Sequence, residues 1–533
     1  FTNKAAQEMK NRIKKFLGDE TVLGYVGTFH SFCCMILRRE GHNIGLERNF
    51  SIYDDDDQVS VIRAILKKKD NKRLTPSYVQ HRISAAKNQL VTPGRYLEYF
   101  SEYTAAAVSE VYTEYQKELI KNQALDFDDL IMTTATLFSQ HEPVLEKYQE
   151  KYLYLLVDEF QDTNFAQYAL TKLLAGKNHN VTVVGDFSQS IYSWRGADIR
   201  NLEKFKEDFP NTKEYYLEEN YRSTQSILNF AYDVIEKNQT HPVLQLFTSN
   251  DEGEEVQVQE TDNEQEEAVF IANEVRRLAR NGSYMDSAVL YRTNAQSRVI
   301  EEAFLHFGIP YTLVGGTRFY DRKEVKDILS YLRLFSNPQD EVARERIIKI
   351  GKRKWDKFKA FYQETKDSYQ DTPTVELIDQ IFKATGYLDL YNPDDPEEYS
   401  KLENIKELKS VAVRFPALVD FLEQVALVES EYSEGEKRKN KEGVRLMTLH
   451  QAKGLEFPYV FIAGVEEGIL PHVRSIQDLF QLEEERRLFY VGITRAQNKL
   501  YITYTRRRFI FGRRNEARKS RFLGGEVETE SWY

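Results

Sequence analysis

Cysteine is nearly absent: the only two in 533 residues, Cys33 and Cys34, are adjacent. Neighbouring thiols cannot staple distant segments and carry no metal-ligand spacing, so neither a disulfide framework nor a zinc module is expected. This usage fits a reducing cytoplasm. No apolar run approaches the length of a membrane span, so no membrane partner is expected. A signal peptide is also missing, and residue 1 is Phe1 rather than Met, so a fragment without its natural start is expected. Basic excess is lacking too. The net charge of −11 excludes a globally basic nucleic-acid binder and confines any such binding to a local patch. Basic clusters stand at Lys67-Lys68-Lys69 with Lys72 and Arg73, and from Arg506-Arg507-Arg508 to Arg521. Runs of this kind are most often solvated faces.

Apolar and aromatic residues are plentiful, at 41% and 13%, which allows large buried cores. The length exceeds what one core supports, so roughly two to four domains are expected. The most informative stretch is Leu153 to Asn164, where an apolar run ends abruptly in Asp158 and Glu159. The pattern predicts a buried parallel strand that presents both carboxylates at its C-terminal end, where open α/β sheets place ligands. An Asp there can hold Mg²⁺ through its waters, and an adjacent Glu can take a proton from an attacking water. Nucleotide hydrolysis needs that pair.

The spacing predicts a helix over residues 1–17, capped by Thr2 or Asn3, with Met9, Ile13 and Phe16 on one apolar stripe. A short apolar piece ends at Val26-Gly27-Thr28-Phe29-His30, and a helix follows through Arg39. Residues 50–120 read as a helical insertion. Strand-like runs return at 153–157 and 181–185, and Asp186 to Asp198 forms a polar loop containing Tyr192, Trp194 and Arg195. A new α/β unit starts near Asn220, with a strand at Ser287–Tyr291 and a helix at Gln296–Phe307. Residues 322–442 are again helical and end in a charged linker, Ser433–Glu442, expected to be mobile. Strands are expected at Val444–Leu449, Tyr459–Gly464 and Lys499–Tyr504, with a helix at Glu483–Gln497.

Taken together, Phe1-Thr-Asn-Lys-Ala-Ala6, Gly27-Thr-Phe-His30, Asp158-Glu-Phe-Gln-Asp162, Gly185 to Asp198, Glu219 to Thr224, Val444 to Phe457 and Glu485 to Ala496 form an ordered set. In this the chain resembles the superfamily 1 DNA helicases of the UvrD/Rep/PcrA type, in their PcrA-like branch, over nearly its whole length. The resemblance implies an α/β fold with two RecA-like parallel-sheet domains of the P-loop NTPase type, each with a mainly helical insertion. Domain 1A would comprise residues 1–48 and 123–218, with insertion 1B at 49–122. Domain 2A would comprise 219–321 and 443–533, the latter including a basic tail, with insertion 2B at 322–442. The implied activity is an ATP-driven, Mg²⁺-dependent 3′ to 5′ motor that moves on single-stranded DNA and unwinds duplex DNA in repair or replication, with proteins of those processes as possible partners. ATP would lie between 1A and 2A, and DNA would cross both.

The resemblance also assigns roles. Asp158 would hold Mg²⁺ and Glu159 would activate water. Gln189 would sense the γ-phosphate. Arg222 and Arg495 would be arginine fingers, a planar and permanently charged fork suiting the charge that spreads over phosphate oxygens. Tyr221 would stack on adenine and Glu456 would reach the ribose. Phe1, Tyr192 and Trp194, with Arg195, would stack DNA bases; Thr2, Asn3, Thr28, His30, Thr448 and His450 would hold phosphates.

Two departures stand out. No Gly-x-x-x-x-Gly-Lys-Ser/Thr loop occurs: the only Gly-Lys pairs, Gly176-Lys177 and Gly351-Lys352, lack the following hydroxyl. Such a loop would fall before Phe1. Where the family carries an Arg-Gly-Ile-Gly turn associated with duplex DNA, this chain reads Ile350 to Trp355. The alternative reading is a non-catalytic relative that binds single-stranded DNA or a protein partner. A helicase–nuclease subunit finds no support, since no nuclease-like cluster follows Tyr504.

Overall fold

The computed structural model describes residues 3–18, 24–71, 73–437, 443–510 and 513–524. Two compact units divide the chain, residues 1–215 and 216–533. Among the described residues no helix is long and apolar enough to cross a membrane.

In the first unit, β1 (Ser51–Tyr53) pairs in parallel with β2 (Ala124–Asp126), and β3 (Leu155–Val157) with β4 (Val181–Val183). Between β1 and β2 lie the helices Asp55–Lys68, Pro76–Asn88 and Ala105–Lys121. They close on their own core of Ile62, Val79, Val108 and Tyr112. A second core joins the helices Phe29–Glu40, Phe127–Gln140 and Phe165–Ala175 through Cys33, Leu37, Leu137 and Leu170. Each of these helices starts where its sequence allows. Thr28, Asp126 and Asn164 each accept from the backbone N–H three residues on, and the residue there returns a bond, which satisfies otherwise orphaned donors. Burial pushes the Cys33 thiol up to about 12, so it is an inert core group.

The insertion is fastened to the rest of the unit by a buried ion cluster. Lys87 Nζ lies 2.6 Å from Asp126 and 2.8 Å from Asp129, and Tyr115 donates to Asp126 at 2.9 Å. Burial alone would neutralise Lys87, but the two carboxylates outweigh it and hold its pKa above the usual value.

One expectation fails here. The run Leu153–Val157 is not a buried strand: Leu156 is 79% exposed and Tyr154 74%. Among the described residues its sheet has two strands, and nothing covers that face. The helix expected over residues 1–17 is present as Asn3–Leu17, with Phe16 of its apolar stripe 89% exposed.

The second unit is built on β5 (Gln257–Thr261), β6 (Ser287–Tyr291), β7 (Tyr311–Leu313), β8 (Val444–Thr448), β9 (Phe457–Ile462) and β10 (Ala496–Thr505). They form one all-parallel sheet in the order β5-β10-β9-β6-β8-β7. Central β6 is buried throughout, as a parallel strand covered on both faces must be. Ile271, Val289, Phe461 and Tyr501 lie in the core on one side. Between β7 and β8 the described residues make six α-helices, from Lys323–Ser336 to Leu418–Lys437, around Leu332, Phe335, Ile381, Leu408 and Phe421. Arg298 ties this insertion to the sheet layer, donating to Glu407 at 2.7 Å.

The remaining corrections concern boundaries. Ser433 to Lys437 continue a helix rather than a linker, and 438–442 lie outside the described residues. The helix expected at Glu483–Gln497 runs Leu479–Ile493, because the chain must already enter β10 at Ala496. The basic run after Tyr504 forms an antiparallel hairpin, β11 (Arg507–Ile510) with β12 (Arg513–Glu516). Much of its charge is internally paired: Arg506 with Glu260 and Asp262, Arg508 with Glu267 and Glu466, Arg521 with Glu467.

Candidate nucleotide and nucleic-acid site

On the first unit, Asp158 and Glu159 follow β3 directly. Glu159 sits at φ 51, a left-handed backbone that a non-glycine residue adopts only at a cost. Its backbone N–H donates to Asp158 Oδ1 at 3.0 Å, and its carboxylate accepts from Gln161 Nε2 at 2.6 Å. Gln161 is wholly buried, and its Oε1 accepts from Asp186 N at 3.1 Å. Asp186 in turn accepts from Gln189 Nε2 at 2.8 Å and from Ser188 N at 2.8 Å. A hydrogen-bonded chain therefore runs from Glu159 through Gln161 and Asp186 to Gln189. Gln161 and Asp186 had been given no role on sequence grounds, although both lie inside the quoted motifs.

The same loop carries the aromatic residues. Ile191 anchors it in the interior, while Trp194 is 46% exposed. The Tyr192 and Trp194 rings stand 6.5 Å apart, and the Arg195 guanidinium covers both, at 5.7 Å from Tyr192 and 4.6 Å from Trp194. Such a cation–π cluster offers flat faces and positive charge together. Thr28 uses its hydroxyl to cap the helix Phe29–Glu40. His30 packs edge-on against Phe127 at 5.9 Å, and burial holds its pKa below the usual value. Phe1 and Thr2 lie outside the described residues; Asn3 opens the first helix.

On the second unit, the Tyr221 ring is 79% exposed, with its hydroxyl donating to Glu219 at 2.7 Å. Arg222 Nε donates to Glu456 at 2.7 Å and its Nη1 to the Thr494 carbonyl at 3.2 Å. Gln497 donates to the other Glu456 oxygen at 3.1 Å. The bond from Arg222 holds the Glu456 carboxyl below the usual range. Gln497 is a further residue the sequence did not single out. Arg495 is 2% exposed, and its guanidinium reaches the carbonyls of Val491 at 2.9 Å and Leu455 at 3.3 Å. The structure thus clusters Arg222, Glu456 and Arg495 around Thr494, with Arg495 turned inward. Thr448, nearly buried, donates to Gln451 Oε1 at 3.1 Å, and Gln451 reaches the Gly315 carbonyl at 3.1 Å. His450 is partly buried on the turn between them.

Among the described residues no group of three or more His, Cys, Asp or Glu is placed to enclose a metal. Mg²⁺ needs no such cage, since it keeps several waters and takes one or two carboxylates plus substrate phosphates. Asp158, at a loop mouth, fits that pattern.

Comparison with known proteins places the chain in a family. Residues 1–210 match the UvrD/REP helicase N-terminal domain, and residues 215–391 and 351–507 match the UvrD-like helicase C-terminal domain. The ATP-dependent DNA helicase PcrA of Staphylococcus aureus is 43% identical over 98% of this chain and 78% of its own length. Its counterpart in Bacillus subtilis is 44% identical over the same shares. The chain belongs to the UvrD/Rep/PcrA-type superfamily 1 helicases, whose domains are RecA-like α/β folds.

Proposed function

We propose that this protein acts as an ATP-dependent DNA helicase that moves 3′ to 5′ on single-stranded DNA and opens duplex DNA during repair or replication. The observation that carries the reading is the bonded chain from Glu159 through Gln161 and Asp186 to Gln189. It ends in the loop that holds Tyr192, Trp194 and Arg195. A group suited to water activation is thereby linked to the loop that carries a surface suited to base stacking, as a motor coupling hydrolysis to movement requires.

In this reading Asp158 orients Mg²⁺, which would neutralise charge on the phosphates of ATP. Glu159 accepts the proton of the attacking water. Tyr221 receives the adenine face and Glu456 the ribose, which requires Glu456 to exchange its bond with Arg222. Arg222 and Arg495 stabilise charge on the transferred phosphoryl group, Arg495 after leaving its buried position. Trp194, Tyr192 and Arg195 stack bases, and Thr28, His30, Thr448 and His450 hold phosphates. The domain bounds 1–48 with 123–218, 49–122, 219–321 with 443–533, and 322–442 describe 1A, 1B, 2A and 2B.

The alternative is a non-catalytic relative that binds single-stranded DNA or a protein partner, told apart by whether the protein turns over ATP. Single-stranded DNA binding is common to the motor and to the DNA-binding form of that alternative. Fluorescence anisotropy on mixed-sequence oligonucleotides should show binding that weakens with salt, and Trp194→Ala should cost about 1–3 kcal/mol whatever the sequence. Unchanged affinity in that variant removes the DNA role of the loop.

A further inference from the structure

The helix Pro76–Asn88 of the first insertion ends at a junction. Lys87 is clamped by Asp126 and Asp129 at 2.6 and 2.8 Å. The next side chain, Asn88, leaves the insertion. Its Oδ1 accepts from Asn164 Nδ2 at 2.6 Å, and its Nδ2 donates to Ser84 Oγ at 3.3 Å. Asn164 closes the loop that begins at Asp158, and exchanges reciprocal bonds with Gln167 at 2.9 and 3.1 Å. On its other side Asn88 lies against Gly196, where an added methyl group would stand 3.6 Å from Asn88 Cβ. Gly196, at φ 86, ends the turn Ser193–Arg195 that carries Trp194. The two loops also meet directly, since the Thr163 carbonyl accepts from Asp198 N at 3.0 Å and Asn201 Nδ2 at 2.8 Å.

From this juxtaposition we infer that Asn88 is a positioning residue that ties the helical insertion to both the carboxylate loop and the aromatic loop. The inference rests on the proposed DNA role of the aromatic loop. Asn88 touches neither nucleotide nor DNA; it fixes the angle at which the Trp194 turn stands on the loop after β3. Lys87 makes the tie stiff, because a buried and doubly paired ammonium prevents the helix end from sliding. A base stacked on Trp194 is then felt along the helix Pro76–Asn88. The acceptor oxygen is the essential atom, so aspartate can replace asparagine and alanine cannot.

The test uses the 533-residue chain, its Asn88→Ala and Asn88→Asp variants, and Gln89→Ala as an exposed neighbour control. Hydrogen exchange is followed with and without an oligothymidylate of about 15 nucleotides, a length in the range of single-strand sites. In the wild type the oligonucleotide should slow exchange across residues 83–90. Asn88→Ala should lose that protection and weaken DNA binding about threefold to tenfold, the factor carried by one lost neutral hydrogen bond. Asn88→Asp and Gln89→Ala should keep both. Bound DNA that leaves residues 83–90 unprotected in the wild type overturns the inference, as does wild-type affinity and protection in Asn88→Ala. Should the wild type bind no oligonucleotide, the DNA reading fails, and exchange without DNA still decides the tie. Faster exchange at 163–167 and 192–197 in Asn88→Ala supports it, and unchanged exchange overturns it.

Discussion

Gln161 donates to the Glu159 carboxylate at 2.6 Å, and its other amide atom accepts from Asp186 N at 3.1 Å. One buried amide therefore holds a strained acidic residue and the start of the next loop. Gly185 makes this possible, since a Cβ there would meet Gln161 Oε1 at 2.8 Å. Gln161→Leu should destabilise the first unit by about 1–3 kcal/mol, because it removes the Gln161 bonds to Asp186 N and to the Glu159 carboxylate. Gly185→Ala should destabilise it as well, by pushing the amide away. Combined, the two should cost less than their sum, since the clash needs the amide. Thermal unfolding of the three variants checks this; strict additivity would show that the clash does not act through Gln161.

The chain should hydrolyse little or no Mg²⁺-ATP, with or without single-stranded DNA. The proposed function assigns the chemistry to Asp158 and Glu159, but no Gly-Lys-Ser/Thr loop occurs in the 533 residues to cradle the phosphates. A phosphate-release assay measures it. Turnover in the usual range of about 1–100 s⁻¹ would mean that another part of the sequence binds the triphosphate.

How far the sequence revealed these features depended on whether a signal was local. The strand Ser287–Tyr291 and the helix after it follow from spacing and side-chain chemistry alone. The all-parallel sheet of the second unit was implied by its apolar runs together with the family resemblance. What failed depended on distant partners. Leu156 looked buried because its neighbours are apolar, yet its exposure depends on what else pairs with the sheet. Arg495 could be recognised from its motif, but not its inward rotamer, which is set by carbonyls of Val491 and Leu455. Gln161 and Asp186 were visible inside motifs. Their bond depends on β3 and β4 lying side by side, which brings Gln161 to the residue following Gly185.

Arg292 and Glu485 form a buried pair that supplies a pH-dependent test. Arg292 Nη2 lies 2.7 Å from Glu485 Oε1 and its Nε 3.0 Å from Oε2, while His472 N donates to the same carboxylate at 2.9 Å. Burial alone would raise the Glu485 pKa, but Arg292 outweighs it and holds it below the usual range. A carboxyl whose folded pKa is depressed contributes stability above its unfolded value, near about 4.3, and loses it as pH falls through the folded value. Glu485→Gln should thus destabilise the second unit at neutral pH by about 3–5 kcal/mol, since it strands Arg292. The gap to wild type should narrow below about pH 4. Denaturant unfolding at neutral and acid pH measures both; a gap independent of pH would show that the charge of Glu485 is not what matters.

Arg495 presents the sharpest contrast between what a residue does in the fold and what its motif implies. It is buried, with Nε on the Val491 carbonyl, Nη1 on Leu455 and Nη2 on the Thr494 hydroxyl. Thr494 also accepts Arg222 Nη1 through its carbonyl, so the two arginines share one turn. Removing Arg495 takes a donor from the part-buried Leu455 carbonyl and leaves the buried Val491 carbonyl with the Thr494 hydroxyl. Arg495→Ala should therefore lower the stability of the second unit by about 1–3 kcal/mol, even with no nucleotide present. Arg495→Lys should lose nearly as much, because one ammonium cannot span carbonyls that a planar fork reaches together. Single-stranded DNA affinity should be unchanged in both at temperatures where they stay folded, since no DNA contact is assigned to this side chain. Thermal melts with anisotropy on the same samples separate the effects. A variant as stable as wild type would mean that the buried position is not held by these bonds, and Arg495 would then stand in solution mainly as a side chain turned outward.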